Sequence, residues 1–371
     1  MISKEDDILI YIKEKRDEVR TLSIDLVKAI AILLVIWGHM IQYLHGTEYD
    51  YWNNMIFKWI YGFHMPAFAL VSGFLYAKSR KTGVCQAFEK KTKQLLLPVI
   101  SWALLLSILD YFLIIFLHKV HVGGGFADRF ISRCLNDLWF LKGIFLCYLL
   151  VMFVEMITSK IIIRYLLLFT ICISTLFWPK SFRLPLYAFL VPYYIIGFGV
   201  EKNMNDLKQL DKKNNKKLIM GSIVLIFLYF FLSCLYQEHD YIYSSGISII
   251  NSQHGIWGQI RIDLFRFITG LAGCMMIVSI CCVIQSMIPK YYVEWITKIS
   301  SSTLSIYAIT ASFFVYLPQI MLRLNITDIS LRVHIFDLCC LLPLSLIMMR
   351  ICMWIADKVA GKKVSVLFLG R

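Results

Sequence analysis

The chain alternates long apolar runs with short polar stretches, and the runs have the length that a bilayer demands. A spanning helix needs about 20 mostly apolar residues. Runs of that size predict helices at roughly 23–45, 55–77, 95–117, 138–157, 161–178, 185–200, 218–236, 262–287, 299–320 and 332–357. No repeat at a fixed period is visible, and no polar stretch is long enough to build a soluble domain. The expected fold is all-α, a polytopic membrane helix bundle of about ten transmembrane helices in one domain over 1–371. Residues 1–22 form an N-terminal arm, 23–357 the bundle and 358–371 a tail.

Composition agrees with that pattern. Hydrophobic residues are 59% of the chain and charged residues only 17%, against about 25% in soluble domains. The net charge of +14 raises nucleic acid as a partner. The Lys and Arg residues, however, sit in short loops between apolar runs and not on one soluble face, so nucleic-acid binding is set aside. Alternate loops share them unequally. The set containing the arm, 78–93 and 201–217 holds 25 Lys and Arg, and the other set holds 8. The positive-inside rule then puts both termini in the cytoplasm, with anionic lipids as neighbours of the basic loops. Short loops point to a bacterial plasma membrane. Most of the 11 cysteines lie inside apolar runs without CxxC spacing, which reads as small buried hydrophobes and no metal site. The first 22 residues carry KEDD and KEKRDE, which argues against a cleavable signal.

Ionisable side chains inside spanning helices are costly and mark function by default. The first helix carries Asp25, Lys28 and His39. At about 100° per residue the three share one face, over a rise of about 21 Å. His64 lies in the second helix just before Pro66, and Asp110 in the third. Helix directions place His39, His64 and Asp110 in the outer half, and Lys28, Lys90, Lys91 and Lys93 at the inner boundary. A cationic inner mouth suits the polyanionic nucleotide end of an acyl-coenzyme A. An outer imidazole suits removal of a proton from a weakly nucleophilic sugar hydroxyl. Pro66 and Gly73 read equally as kinking and packing residues, and Trp139 as an aromatic-belt anchor.

The stretches SIDLVKAIAILLVIWGHM, FHMPAFALVSGF, KKTKQLLLP and LWFLKGIF occur in that order. Together they make the chain resemble the acyltransferase-3 family of integral membrane acyltransferases, in a branch similar to fucose 4-O-acetylases. The resemblance implies transfer of an acyl group, usually acetyl, from acetyl-coenzyme A to a carbohydrate hydroxyl across the membrane. It implies an essential His at His39 after a basic residue at Lys28, where many members have Arg, so bidentate pairing is lost. The family's basic pair before the third helix matches at Lys91, while Gln94 takes the second place and Lys90 or Lys93 compensates. In SSSTLSIYAIT, Thr310 stands where the family pattern has His.

The expected catalytic residues are therefore His39, His64 and Asp25, and the expected donor-binding residues Lys28, Lys91 and Lys93. The expected substrates are an acyl-CoA, acetyl-CoA first, and a cell-surface polysaccharide or a lipid-linked glycan acceptor. The rival expectations are a secondary transporter or polysaccharide exporter using the same charges as a proton relay, and a scaffold subunit.

Overall fold

The computed structural model describes residues 4–45, 50–79, 84–117, 125–179, 181–207, 215–250, 252–314, 316, 333–359 and 363–370. No strand occurs among them. Seven helical segments are long and apolar enough to cross a membrane: 22–44, 55–77, 86–112, 139–157, 216–234, 255–287 and 334–359. Ile161–Phe177 and Leu184–Val200 are shorter apolar helices. The protein is a membrane helix bundle. Its outward side chains invert the soluble pattern: Phe227 is 72% exposed, Leu166 60% and Trp354 60%, on faces that only lipid could cover.

The chain-order elements that position the site are α1 (Lys4–Leu44), α2 (Met55–Tyr61), α3 (His64–Ser79) and α4 (Val84–Leu117). These are followed by α5 (Phe126–Asn136), α6 (Trp139–Ile157), α7 (Ile161–Ser174) and α8 (Leu184–Leu207). Next come α9 (Asn215–Cys234), the single turn α10 (Ile242–Ser245), α11 (Gly255–Ile284) and α12 (Lys290–Phe314). Last are α13 (Val333–Phe336), α14 (Leu342–Val359) and α15 (Lys363–Leu369). Helix α1 packs along α12, and α3 packs along α8. The α3–α8 crossing brings backbone against backbone. A Cβ on Gly73 would run into the Tyr194 carbonyl, and one on Gly197 into the Leu70 carbonyl. Small residues that admit close approach are how membrane helices gain contact area without a hydrophobic driving force.

Several boundaries differ from the sequence expectation: α1 begins at Lys4 and takes in most of the expected N-terminal arm, α11 begins at Gly255 and not at 262, and α12 at Lys290 and not at 299. The predicted helix at 55–77 is broken at Gly62 and Phe63 into α2 and α3. Pro66 explains why the second piece can start there, because its missing N–H falls in the first turn of α3, where no intrahelical partner is needed. The third helix begins at Val84 and not at 95, so Lys90, Lys91 and Lys93 are helical and not in a loop. The last span is interrupted by a π-turn at Asp337–Leu341. The expected tail over 358–371 contains α15, which packs on α4 and accepts a hydrogen bond from Trp102 Nε1 at the Phe368 carbonyl at 2.8 Å.

Candidate active site

Two cavities lie one above the other between α1, α3, α4, α6 and α12. The first, of about 880 Å³, is lined by Lys28, Lys91, Gln94, Ser72 and Thr303 among otherwise apolar walls. The second, of about 1150 Å³, is lined by His39, Gln42, Tyr61, Asp137 and Arg183 with several aromatic rings. Helices α1, α4, α6 and α12 contribute to both, and α3 to the first alone. On α1, Lys28, Ile32 and Val35 serve the first cavity and His39, Gln42 and Tyr43 the second. On α12, Thr303 and Leu304 serve the first, and Ala311, Ser312 and Phe314 the second. Tyr307 lines both. Its ring meets that of Phe140 edge-on, with centroids 5.8 Å apart. The two cavities therefore adjoin at Tyr307.

His39 is placed by the helical period, since Lys28 and His39 are eleven residues and about 16 Å of rise apart on one face. Its Nδ1 lies 3.3 Å from Gln42 Oε1 and 3.3 Å from the Tyr61 hydroxyl. The Tyr61 hydroxyl donates to Gln42 Oε1 at 3.1 Å. In the tautomer that donates from Nδ1 to that carboxamide oxygen, Nε2 keeps its lone pair. The ring packs at 5.3 Å from Phe314 and 5.9 Å from Tyr43. A neutral imidazole with a bare nitrogen beside a cavity is a proton acceptor in waiting.

His64 opens α3 at the helix break. Its Nδ1 donates to the Ile60 carbonyl at 2.8 Å, standing in for a backbone donor at the break. The ring is buried and packs against Tyr61, with centroids 4.8 Å apart. It lies behind Tyr61 and does not line the His39 cavity. Asp25 reaches sideways from α1 to α12, to the hydroxyls of Ser300 and, at 3.5 Å, Thr297. It fastens two helices and lines neither cavity. Lys91 faces the first cavity and donates to Gln94 Oε1 at 3.2 Å. Lys93, about 200° further round α4, points outward and pairs with Glu89 on the exposed surface.

Asp110 does not join the imidazoles. Arg133 of α5 donates from Nε to its carboxylate at 2.9 Å, and the Tyr316 hydroxyl donates at 2.9 Å. The carboxylate that lines the His39 cavity is Asp137, itself paired with Arg133 at 2.9 Å. Trp139 is also a lining residue, its ring 6.1 Å from that of Tyr243, and not merely a belt anchor. Gln42, Tyr61, Asp137, Arg183, Tyr243 and Tyr307 were not singled out from the sequence. For Gln42 a signal was available, because it sits one turn after His39 on the same face.

An acyltransferase-domain family profile matches residues 21–356, which takes in every helix that lines the two cavities. The chain belongs to the acyltransferase-3 family. It is 26% identical over 240 residues to nodulation protein NolL of Sinorhizobium fredii (strain NBRC 101917 / NGR234), covering 63% of this chain and 62% of that one. It is 30% identical over 186 residues to nodulation protein NolL of Mesorhizobium japonicum (strain LMG 29417 / CECT 9101 / MAFF 303099), covering 48% and 47%. The chain thus aligns with about half to three-fifths of the length of these curated relatives. No solved structure matches it. At the position where the family pattern has His, Thr310 is fully buried and spends its hydroxyl on the Ile306 carbonyl of its own helix at 2.7 Å. One turn earlier on that helix, Tyr307 is the residue that reaches the cavities.

Proposed function

We propose that the protein is a membrane O-acyltransferase that moves an acyl group, acetyl first, from acyl-coenzyme A to a hydroxyl of a cell-surface or exported carbohydrate. The observation that carries this is the pair of adjoining cavities, one lined by two lysines and the other by the imidazole of His39, with Tyr307 lining both. In this proposal α7, α8 and α12 complete ten crossings, both termini are cytoplasmic, and the membrane is the plasma membrane. The loop charge bias then turns the Lys28 and Lys91 cavity toward the cytoplasm and the His39 cavity outward.

Lys28 and Lys91 hold the donor's phosphates as point charges, and the thioester arm extends along α1 past Tyr307 toward His39. His39 Nε2 takes the proton of the acceptor hydroxyl as its oxygen forms a bond to the thioester carbonyl carbon. The C–S bond then breaks, the thiolate leaves with the electron pair, and the imidazolium returns the proton to it. The products are one carbohydrate ester and one free thiol. Gln42 and Tyr61 hold the imidazole in the accepting tautomer, and His64, packed behind Tyr61, is a positioning residue. Asp25 positions α1 against α12. Lys93 lies outside the cavity and is assigned no contact with the donor beyond the rim.

Mass spectrometry of surface glycans from cells with and without the protein tests this. An acetyl-sized mass difference on the glycan is the expected result. Identical spectra would refute it.

A further inference from the structure

A third cavity, of about 930 Å³, opens beside the His39 cavity. It is lined by Arg183, Tyr243, Ser244, Ser245, Gln253 and His254 together with apolar residues. Arg183 and Tyr243 line both this cavity and the His39 cavity, so the two adjoin through one shared wall.

That wall is built with unusual backbone. Phe182 and Arg183 are consecutive non-glycine residues at φ +53° and +61°, a left-handed conformation that side chains with a Cβ seldom adopt. Such conformations persist where the surroundings hold them, and they concentrate at ligand sites. Here the turn carries Arg183 Nε to Asn136 Oδ1 at 3.2 Å, and Asn136 itself lines the His39 cavity. One edge of the guanidinium is thereby fixed. Its other donors face no carboxylate among the described residues, because the nearby Asp137 is engaged by Arg133.

The loop that carries Tyr243 is preorganised from below. Arg266 of α11 is fully buried and donates to the carbonyls of Asp240 and Gly246, each at 2.7 Å. It also bonds the Ser245 hydroxyl, and its charge is balanced by Asp263 at 3.1 Å. Gln259 adds a second bond to the Gly246 carbonyl at 3.2 Å. One internal cation and its helix therefore fix the loop that presents Tyr243, Ser244 and Ser245. A loop held rigid before ligand arrives loses less entropy on binding.

The lining thus combines an aromatic ring, hydroxyl and amide groups, and one guanidinium with no carboxylate opposite it. Rings that stack on a sugar face and polar groups that bond hydroxyls suit carbohydrate. The guanidinium fork suits a carboxylate or phosphate. We infer that this cavity is the acceptor subsite and that it takes an acidic carbohydrate, whose anionic group pairs with Arg183 while a neighbouring hydroxyl enters the His39 cavity past Tyr243. The inference rests on the transferase function proposed above and adds the acceptor's charge and its place of entry.

The test uses the purified full-length protein in lipid nanodiscs and three probes of matched size: a glucuronate oligosaccharide, a neutral glucose oligosaccharide and a glycosyl phosphate. Binding is followed by thermal shift and by the part of the tryptophan fluorescence change that Trp139→Phe removes. At least one anionic probe is expected to bind about tenfold or more tighter than the neutral one, as a charge-assisted pair requires. Which anion prefers the site separates a uronate from a phosphate. The preference is expected to fall as salt is raised and to vanish in Arg183→Gln. Equal binding of all three probes by the unmodified protein would overturn the inference whatever the variant does, and so would an undiminished preference in Arg183→Gln. Acetyl-coenzyme A binding is measured on the same sample. Its absence would refute the transferase function while leaving the charge preference to be judged separately.

Discussion

Two of the buried polar clusters in this bundle differ in what surrounds them. Around Asp337, protein side chains reach both carboxylate oxygens. His45 Nε2 lies 2.6 Å from one carboxylate oxygen, Asn54 donates to the other at 2.7 Å, and Trp37 Nε1 donates to the backbone carbonyl at 3.1 Å. Asn54 also caps α2 by accepting from the Phe57 N–H at 3.0 Å. Around His39 the bonds are longer, at 3.1 to 3.3 Å, and the side chains border open volume. The first cluster ties the π-turn to the ends of α1 and α2. The second gives His39 Nε2 no hydrogen-bond partner among the described residues. Burial of polar groups alone does not mark an active site in a membrane protein, whereas burial beside space that a substrate can fill does.

The contrast is open to direct challenge. The largest loss of stability is expected from Asp337→Ala, which removes the acceptor shared by two buried side chains. The expected cost is about 3 kcal/mol, seen as a melting midpoint lowered by several degrees in detergent, with little folded protein recovered. A midpoint equal to that of the unmodified protein would show that the cluster does not hold the bundle together. A smaller and different effect is expected on α4. Lys91→Ala should raise the KM for acetyl-coenzyme A about tenfold by removing a cation from the cavity, without shifting the midpoint. Lys93→Ala, two residues away on the exposed face, should change neither quantity. Equal effects of the two substitutions would mean that positive charge near the bundle end matters and the cavity does not.

Much of the fold was legible because the bilayer imposes it. Spanning length and the charge bias need no knowledge of contacts, so the bundle and most helix positions emerge from the sequence alone. That Lys28 and His39 line cavities was legible for the same reason, since an ionisable group in an apolar run stands out, whereas Lys91 was singled out from a basic stretch by the family resemblance. Pairings across the sequence were not. Asp110 looked like a companion for the imidazoles because its partner, Arg133, lies 23 residues on in a separate helix. The His45–Asp337 pair spans 292 residues. Tyr61 and Tyr307 gave no signal, because tyrosines abound in membrane proteins and only the packed structure distinguishes those lining the cavities from those at a lipid interface. The break at Gly62 escaped notice because the apolar run passes through it uninterrupted.

The central claim is that the imidazole of His39 handles the proton in acyl transfer. Purified protein supplied with radiolabelled acetyl-coenzyme A and oligosaccharides from the producing cell's surface tests it, with His39→Ala compared at an equal melting midpoint. The unmodified protein is expected to pass label to the glycan, and the variant to do so at least about 10²-fold more slowly while remaining folded in the membrane. Near-normal transfer by folded His39→Ala would contradict the account.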